Sequence, residues 1–140
     1  MKPQDSVPAL PPHSAQRRRV FVVGATGTIG QATVHALRDR GYQVICFVRP
    51  KSGRSTHLSG QNIIQTDADI EYRFGDVTDI QSLARDGFRN EHYDCVVSCL
   101  ASRTGAPRDA WAIDYRAQSH ILKLAQDAGI KQFVLLSALC

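Results

Sequence analysis

The chain is predicted to fold as an α/β protein, a doubly wound parallel sheet covered by helices on both faces. Three observations predict it. Short apolar runs of strand length alternate with segments of helical periodicity. Most of these runs are apolar at consecutive positions, the pattern of strands buried on both faces of a parallel sheet. A glycine-rich turn joins the first run to the first helix.

The elements follow in order. Val20–Val23 is a continuous, mostly β-branched run and reads as the first strand. Thr28–Arg40 reads as a helix, with Ile29, Ala32/Thr33, Ala36 and Leu37 at helical spacing and Gly41 ending it. Val44–Val48 is the second strand. Pro50–Gln65, rich in Ser, Gly and Thr, reads as a loop. Ile70–Phe74 is a short strand, Ile80–Arg85 a short helix and Tyr93–Ser98 a strand. Asp109–Ala128 is the longest helix. Its Ala110, Ile113, Ala117, Ile121, Leu124 and Ala128 lie along one face, and Gly129 stops it. Trp111, Tyr115 and Leu122 form a second stripe expected to pack, and Asp114 falls beside the apolar face, exposed or paired. Phe133–Leu136 is the fifth strand. Right-handed crossovers and short connections then favour the strand order 3-2-1-4-5.

A chain of 140 residues holds one domain, here residues 19–140, preceded by an extended tail over residues 1–18 that carries Pro3, Pro8, Pro11 and Pro12. Of the formal charge of +4, residues 1–19 carry +3, from Lys2 and Arg17–Arg19 against Asp5. The body is nearly neutral, so the broad basic face of a nucleic-acid binder is not expected. Arg17–Arg19 reads as a solvated cluster, with contact to an anionic surface as the alternative. Cys46, Cys95, Cys99 and Cys140 form neither a disulfide framework nor a zinc pair, and the five histidines lack metal spacing; no metal site is expected. Reduced thiols suggest an intracellular compartment. No apolar run approaches the ~20 residues of a membrane span, and neither a secretory signal nor a transit peptide is read at the N-terminus.

The strongest motif is Gly24-Ala-Thr-Gly27-Thr-Ile-Gly30, which follows a buried strand and opens a helix. That context points to a dinucleotide. Gly24 makes the tight turn, Gly27 lets the backbone approach a pyrophosphate, and Gly30 lets helix lie on strand. The helix N-terminus offers its N–H groups, including that of Ile29, while Thr26 and Thr28 add hydroxyls. A glycine turn without a ligand is the alternative. An acid at the end of the second strand would bind a 2′-hydroxyl and repel a 2′-phosphate. The sequence has Arg49 there, whose guanidinium can grip a phosphate through two hydrogen bonds, so NADPH is the expected cofactor. After the third strand, Asp76 and Thr78 in Gly-Asp-Val-Thr-Asp are suited to cap the next helix. Cys99, Leu100 and Ala101 follow the fourth strand, at the carboxyl edge where such sheets bind ligands, and are expected to line the nicotinamide ribose.

The glycine spacing resembles that of the extended and atypical short-chain dehydrogenase/reductases, which have a Rossmann fold. The segments VFVVGATGTIGQATVHAL, CFVRPKSG, GDVTD, VVSCLASR, IDYRAQ and FVLLSALC together resemble the NADPH-dependent divinyl chlorophyllide a 8-vinyl reductase family over about residues 19–140. The resemblance implies reduction of an 8-vinyl group to ethyl on divinyl chlorophyllide or protochlorophyllide, in chlorophyll synthesis. It implies that Asp76 and Val77 lie beside the adenine, and that Ser137 helps hold the substrate or a catalytic tyrosine. A loop serine remains the alternative for Ser137. The family's further catalytic segment follows that serine, and the sequence ends three residues later, so an N-terminal fragment, inactive alone, is expected. The resemblance implies a cytoplasmic or, in a plant or alga, plastid setting, and is compatible with peripheral thylakoid association. The competing readings are a non-catalytic NADP-binding regulator of the NmrA-like kind, a nucleotide-retaining subunit of an electron-transport complex, and an isoflavone-reductase-like enzyme.

Overall fold

A computed structural model describes residues 16–50 and 67–137. The tail over residues 1–15, nearly all of the predicted 50–65 loop and the last three residues lie outside them. Five strands, β1 (Arg19–Val23), β2 (Gln43–Val48), β3 (Ile70–Phe74), β4 (Cys95–Ser98) and β5 (Gln132–Leu135), form one sheet in the order β3-β2-β1-β4-β5. All four pairings are parallel. The register aligns Val23 with Phe47, Val23 with Ser98, and Ser98 with Leu135. The strands therefore end together, and every following loop opens on one edge.

Alternation along the strands builds two cores. Phe21, Val23, Ile45, Phe47 and Val96 face one way; Val20, Val22, Val44, Cys46 and Val48 face the other. Helix α1 (Thr28–Asp39) covers the second group through Val34. Helix α2 starts at Ile80–Ser82 and widens into a π-type stretch over Leu83–Phe88, which Arg89 and Asn90 end at positive φ. Helix α3 runs through Pro107–Ala110, a π-type stretch Trp111–Ala117, and Gln118–Asp127. These two cover the first group, with Leu83, Phe88, Ile113, Ala117 and Ile121 buried against it. The Phe21 ring centroid lies 4.4 Å from that of Phe88, with the planes tilted, and 5.3 Å from that of Tyr93, edge to face.

The structure corrects several expectations. The longest helix begins at Pro107, because proline suits the first helical turn, where its missing N–H is no loss. Asp79, rather than Asp76 or Thr78, caps α2, its carboxylate accepting from the Gln81 N–H at 2.9 Å. Trp111, Tyr115 and Leu122 do not pack in a core; they are exposed. The outer strands are not buried on both faces: Phe74 on β3 is exposed, and Val134 and Leu135 on β5 are exposed as well. Arg19 is not a solvated tail charge. It belongs to β1, bonds Glu91 at 2.6 Å, and lies over the Tyr93 ring.

Arg73, on β3, is a buried cation that apolar patterning does not reveal. Its guanidinium donates to the Gly87 carbonyl at 2.6 Å, the Tyr93 hydroxyl at 2.7 Å, Glu71 at 2.7 Å and Glu91 at 2.9 Å. Burial opposes its charge, but the hydrogen bonds to Glu71 and Glu91 outweigh that and hold its pKa above the ordinary value.

Candidate dinucleotide site

The site lies where β1 turns into α1. Gly24 sits at φ +74°, a conformation that favours glycine. Its α-carbon faces the β4 loop so closely that a Cβ would lie 2.5 Å from the carbonyl carbon and oxygen of Cys99. The Cys99 N–H donates to the Val23 carbonyl at 2.9 Å, so the two loops leave the sheet side by side. Gly30, buried in the first turn of α1, packs against the carbonyl of Gly24, and a side chain there would land on that oxygen.

Gly27 is different. It caps α1 with an ordinary φ of −72°, and the nearest atom to a Cβ built on it is 3.7 Å away. Nothing in the chain itself requires glycine there. The open surface in front of its backbone is a cradle that a side chain would fill. No side chain caps α1, and its first turn carries no acid. The early N–H groups and the positive end of the helix dipole therefore face solvent beside exposed Thr26, Thr28 and Ile29. Gln31 steadies the turn, its Nε2 donating to the Thr26 carbonyl at 3.0 Å. These features fit a pyrophosphate.

Arg49 is exposed at the carboxyl end of β2. On the neighbouring loop after β3, Asp76 accepts from the Thr78 hydroxyl at 2.7 Å and the Thr78 N–H at 2.8 Å. Those bonds, helped by the charge of Arg49, hold its carboxyl below the usual range. The Asp76 N–H donates to Ser82 Oγ at 3.0 Å, which ties the loop to α2. Val77 is buried in the core, so its side chain does not face the open edge.

After β4, Cys99 and Leu100 are half-buried and Ala101 is exposed. The Cys99 thiol contacts the Thr33 hydroxyl of α1 at 3.7 Å. The loop continues into a tight brace. Asp114 of α3 accepts from the Ser102 N–H at 3.0 Å and hydroxyl at 2.9 Å. Asp109 accepts from the N–H groups of Arg103 and Thr104 and from the Thr104 hydroxyl, and these bonds lower its pKa. Ser98, buried at the end of β4, donates to the Gln118 side-chain oxygen at 2.7 Å. Ser137 follows β5 on the same edge, is exposed, and makes no hydrogen bond among the described residues. The topology thus brings Gly24–Gly30, Arg49, Asp76, Cys99–Ala101 and Ser137 to one edge. Asp114, read from the sequence as exposed or paired, is both; the Asp109 brace was not read, and its signal was a carboxylate in the first turn of a helix after a Ser- and Thr-containing loop. A separate cleft, bordered by Arg18, Tyr42, Asp94 and Gln132, lies at the opposite, amino end of the strands.

Comparison with known proteins agrees with this geometry. Residues 20–140 match the NAD dependent epimerase/dehydratase family. The divinyl chlorophyllide a 8-vinyl-reductase, chloroplastic, of Oryza sativa subsp. indica is 41% identical over 121 residues, which are 86% of this chain and 30% of the relative. The photosystem II assembly factor Ycf39 of Synechocystis sp. is 28% identical over 122 residues, 86% of this chain and 34% of the relative. Among solved structures, the Bordetella bronchiseptica enzyme WbmG in complex with NAD and UDP superposes with a TM-score of 0.68 at 19% identity, over 85% of this chain and 37% of that one. The chain spans about 30% of the length of the vinyl-reductase relatives it matches. The glycine turn, the parallel sheet in its 3-2-1-4-5 order and the match over nearly the whole body agree on one conclusion: the chain belongs to the NAD dependent epimerase/dehydratase family.

Proposed function

We propose that this chain is the cofactor-binding part of an NADPH-dependent reductase that converts the 8-vinyl group of a divinyl chlorophyllide to ethyl. The observation that carries the reading is the 41% identity to the rice vinyl-reductase, spread over 86% of this chain. The bound dinucleotide would supply the hydride for one vinyl carbon, and a proton would complete the other. The chain's own residues bind and orient. The N–H groups of Gly27, Thr28, Ile29 and Gly30 hold the pyrophosphate, with the Thr26 and Thr28 hydroxyls beside them. Arg49 pairs with the 2′-phosphate and so selects NADPH over NADH. Asp76 borders the adenine, together with the backbone of Val77. Cys99, Leu100 and Ala101 border the nicotinamide ribose, and Ser137 sits where the substrate meets it. The remaining substrate-binding part lies outside residues 19–140. The chloroplastic setting of the rice relative supports a plastid setting here. Peripheral membrane association belongs to the same reading, with exposed Arg18 left to face an anionic surface.

A chimaera tests the reading. Residues 19–140 replace the matching segment of the rice relative, and the product is assayed with NADPH and divinyl chlorophyllide. Monovinyl product is expected. A folded chimaera that binds NADPH and forms none contradicts the reading, and favours a non-catalytic NADP-binding protein, a reading that the 28% identity to a photosystem II assembly factor supports.

A further inference from the structure

Helix α3 carries a feature that dinucleotide binding does not use. Trp111 and Tyr115 stack on each other with ring centroids 4.6 Å apart and planes 28° from parallel. Both are more than half exposed, at 56% and 57%. Each ring uses one face on the other and offers the opposite face to solvent. Two adjacent rings left in water join into one apolar patch, and contiguous patches rather than scattered residues are the kind that mark contact surfaces. The pair sits in the π-type stretch Trp111–Ala117, and such wide turns within helices recur at functional sites.

Its position is fixed. Asp114 lies between the two aromatics in sequence and bonds Ser102 twice, while Asp109, two residues before Trp111, bonds Arg103 and Thr104. The turns that bear the rings are therefore stitched to the loop that leaves β4 through Cys99–Ala101. The charges around the pair have one sign to spare. Asp109 and Asp114 are spent on the loop. Arg103, Arg108 and Arg116 have no carboxylate partner among the described residues, and all three are exposed. Arg108 precedes Trp111 by three positions, a spacing that makes neighbours on a helix surface.

We propose that Trp111 and Tyr115 form a stacking platform for a planar tetrapyrrole acid, with Arg108 taking its carboxylate. A flat aromatic macrocycle matches the free ring faces, and a carboxylate matches the unpaired cationic rim. This deepens the vinyl-reductase reading and rests on it for the identity of the pigment. The platform holds the macrocycle beside the cofactor edge; it takes no part in bond making.

The experiment titrates chlorophyllide a and its methyl ester into the purified chain and follows pigment emission. Trp111 is the sole tryptophan, so its quenching gives a second signal. The variants are Trp111→Ala, Tyr115→Ala and Arg108→Glu. All three positions are exposed, so the fold and NADPH affinity should survive. Each aromatic truncation is expected to weaken pigment binding about tenfold, the scale of one lost stacking contact. Arg108→Glu is expected to weaken the acid but not the ester. Pigment affinities within twofold of wild type in all variants overturn the platform, as does a wild-type chain that binds NADPH but no pigment. Self-association or binding to pigment-free anionic vesicles that Trp111→Ala abolishes, with pigment affinity unchanged, overturns it in favour of a second copy or a bilayer. Failure of the vinyl-reductase reading shows separately, as a chimaera without product while the platform still binds pigment.

Discussion

Gly24 and Cys99 meet backbone to backbone: a Cβ on Gly24 would stand 2.5 Å from the carbonyl carbon and oxygen of Cys99. That contact joins the glycine turn to the β4 loop, and it separates two kinds of glycine in one motif. Gly24→Ala places an alanine at φ +74° and drives its methyl into fixed backbone. The left-handed conformation costs about 1–2 kcal/mol, and overpacking adds about 1–3 kcal/mol. Urea denaturation should show a loss of that combined order. Gly27→Ala has an ordinary φ and an open surface, so its stability should stay within about 1 kcal/mol of wild type. Calorimetric titration of that variant should nevertheless show dinucleotide binding lost. An unstable Gly27→Ala, or one that binds normally, contradicts the assignment of its space to a ligand.

Arg49 stands at the end of β2, where its charge reaches Asp76 and Asp109. Charge-assisted hydrogen bonds are each worth about 1.5–3 kcal/mol. Arg49→Glu should therefore weaken NADPH binding by about tenfold or more and change NADH binding little. Equal losses for both nucleotides would place the 2′-phosphate elsewhere.

The Arg73 cluster predicts both a mutational and a pH effect. Arg73→Met leaves the Tyr93 hydroxyl and the Gly87 carbonyl without their shared donor and should cost about 3 kcal/mol in denaturant. At Glu91, burial alone would raise the pKa, but hydrogen bonds from Arg19 and Arg73 outweigh it and hold the carboxyl below its usual 4.5. A carboxyl depressed in the folded state stabilises above its unfolded pKa, and that contribution is lost as pH falls through the folded value. Melting temperature should thus fall below about pH 4.5, more steeply than for Glu91→Gln. Parallel curves for the two proteins would remove Glu91 from the account.

Cys46 of β2 is fully buried in the core on the α1 side of the sheet, and burial pushes its thiol up to about 12. Iodoacetamide at neutral pH should leave it unlabelled in the native chain while the half-buried Cys99 reacts, as read by peptide mass spectrometry. Labelling of Cys46 at the rate of Cys99 would show that the second core opens.

What the sequence made legible was local or periodic. The runs at Val20–Val23 and Val44–Val48 carried the sheet because consecutive apolar residues need cover on both sides. Gly24 and Gly30 were legible because backbone geometry admits little else there. What stayed hidden depends on partners distant in the chain. Arg73 looks misplaced in a strand until Gly87, Glu91 and Tyr93 come to it from 14 to 20 residues away. Trp111 and Tyr115 read as packing because apolar identity alone does not say which side of a helix the core takes. Asp79 won the α2 cap from Asp76 because Asp76 is already closed onto Thr78.

The central claim is that the glycine turn holds a nicotinamide dinucleotide and Arg49 its 2′-phosphate. The most direct measurement is a calorimetric titration of the purified chain with NADPH and, in parallel, NADH. One site with at least tenfold preference for NADPH, abolished by Gly27→Ala and levelled by Arg49→Glu, is the predicted result. A folded chain that binds neither nucleotide, or binds NADH the more tightly, would contradict it.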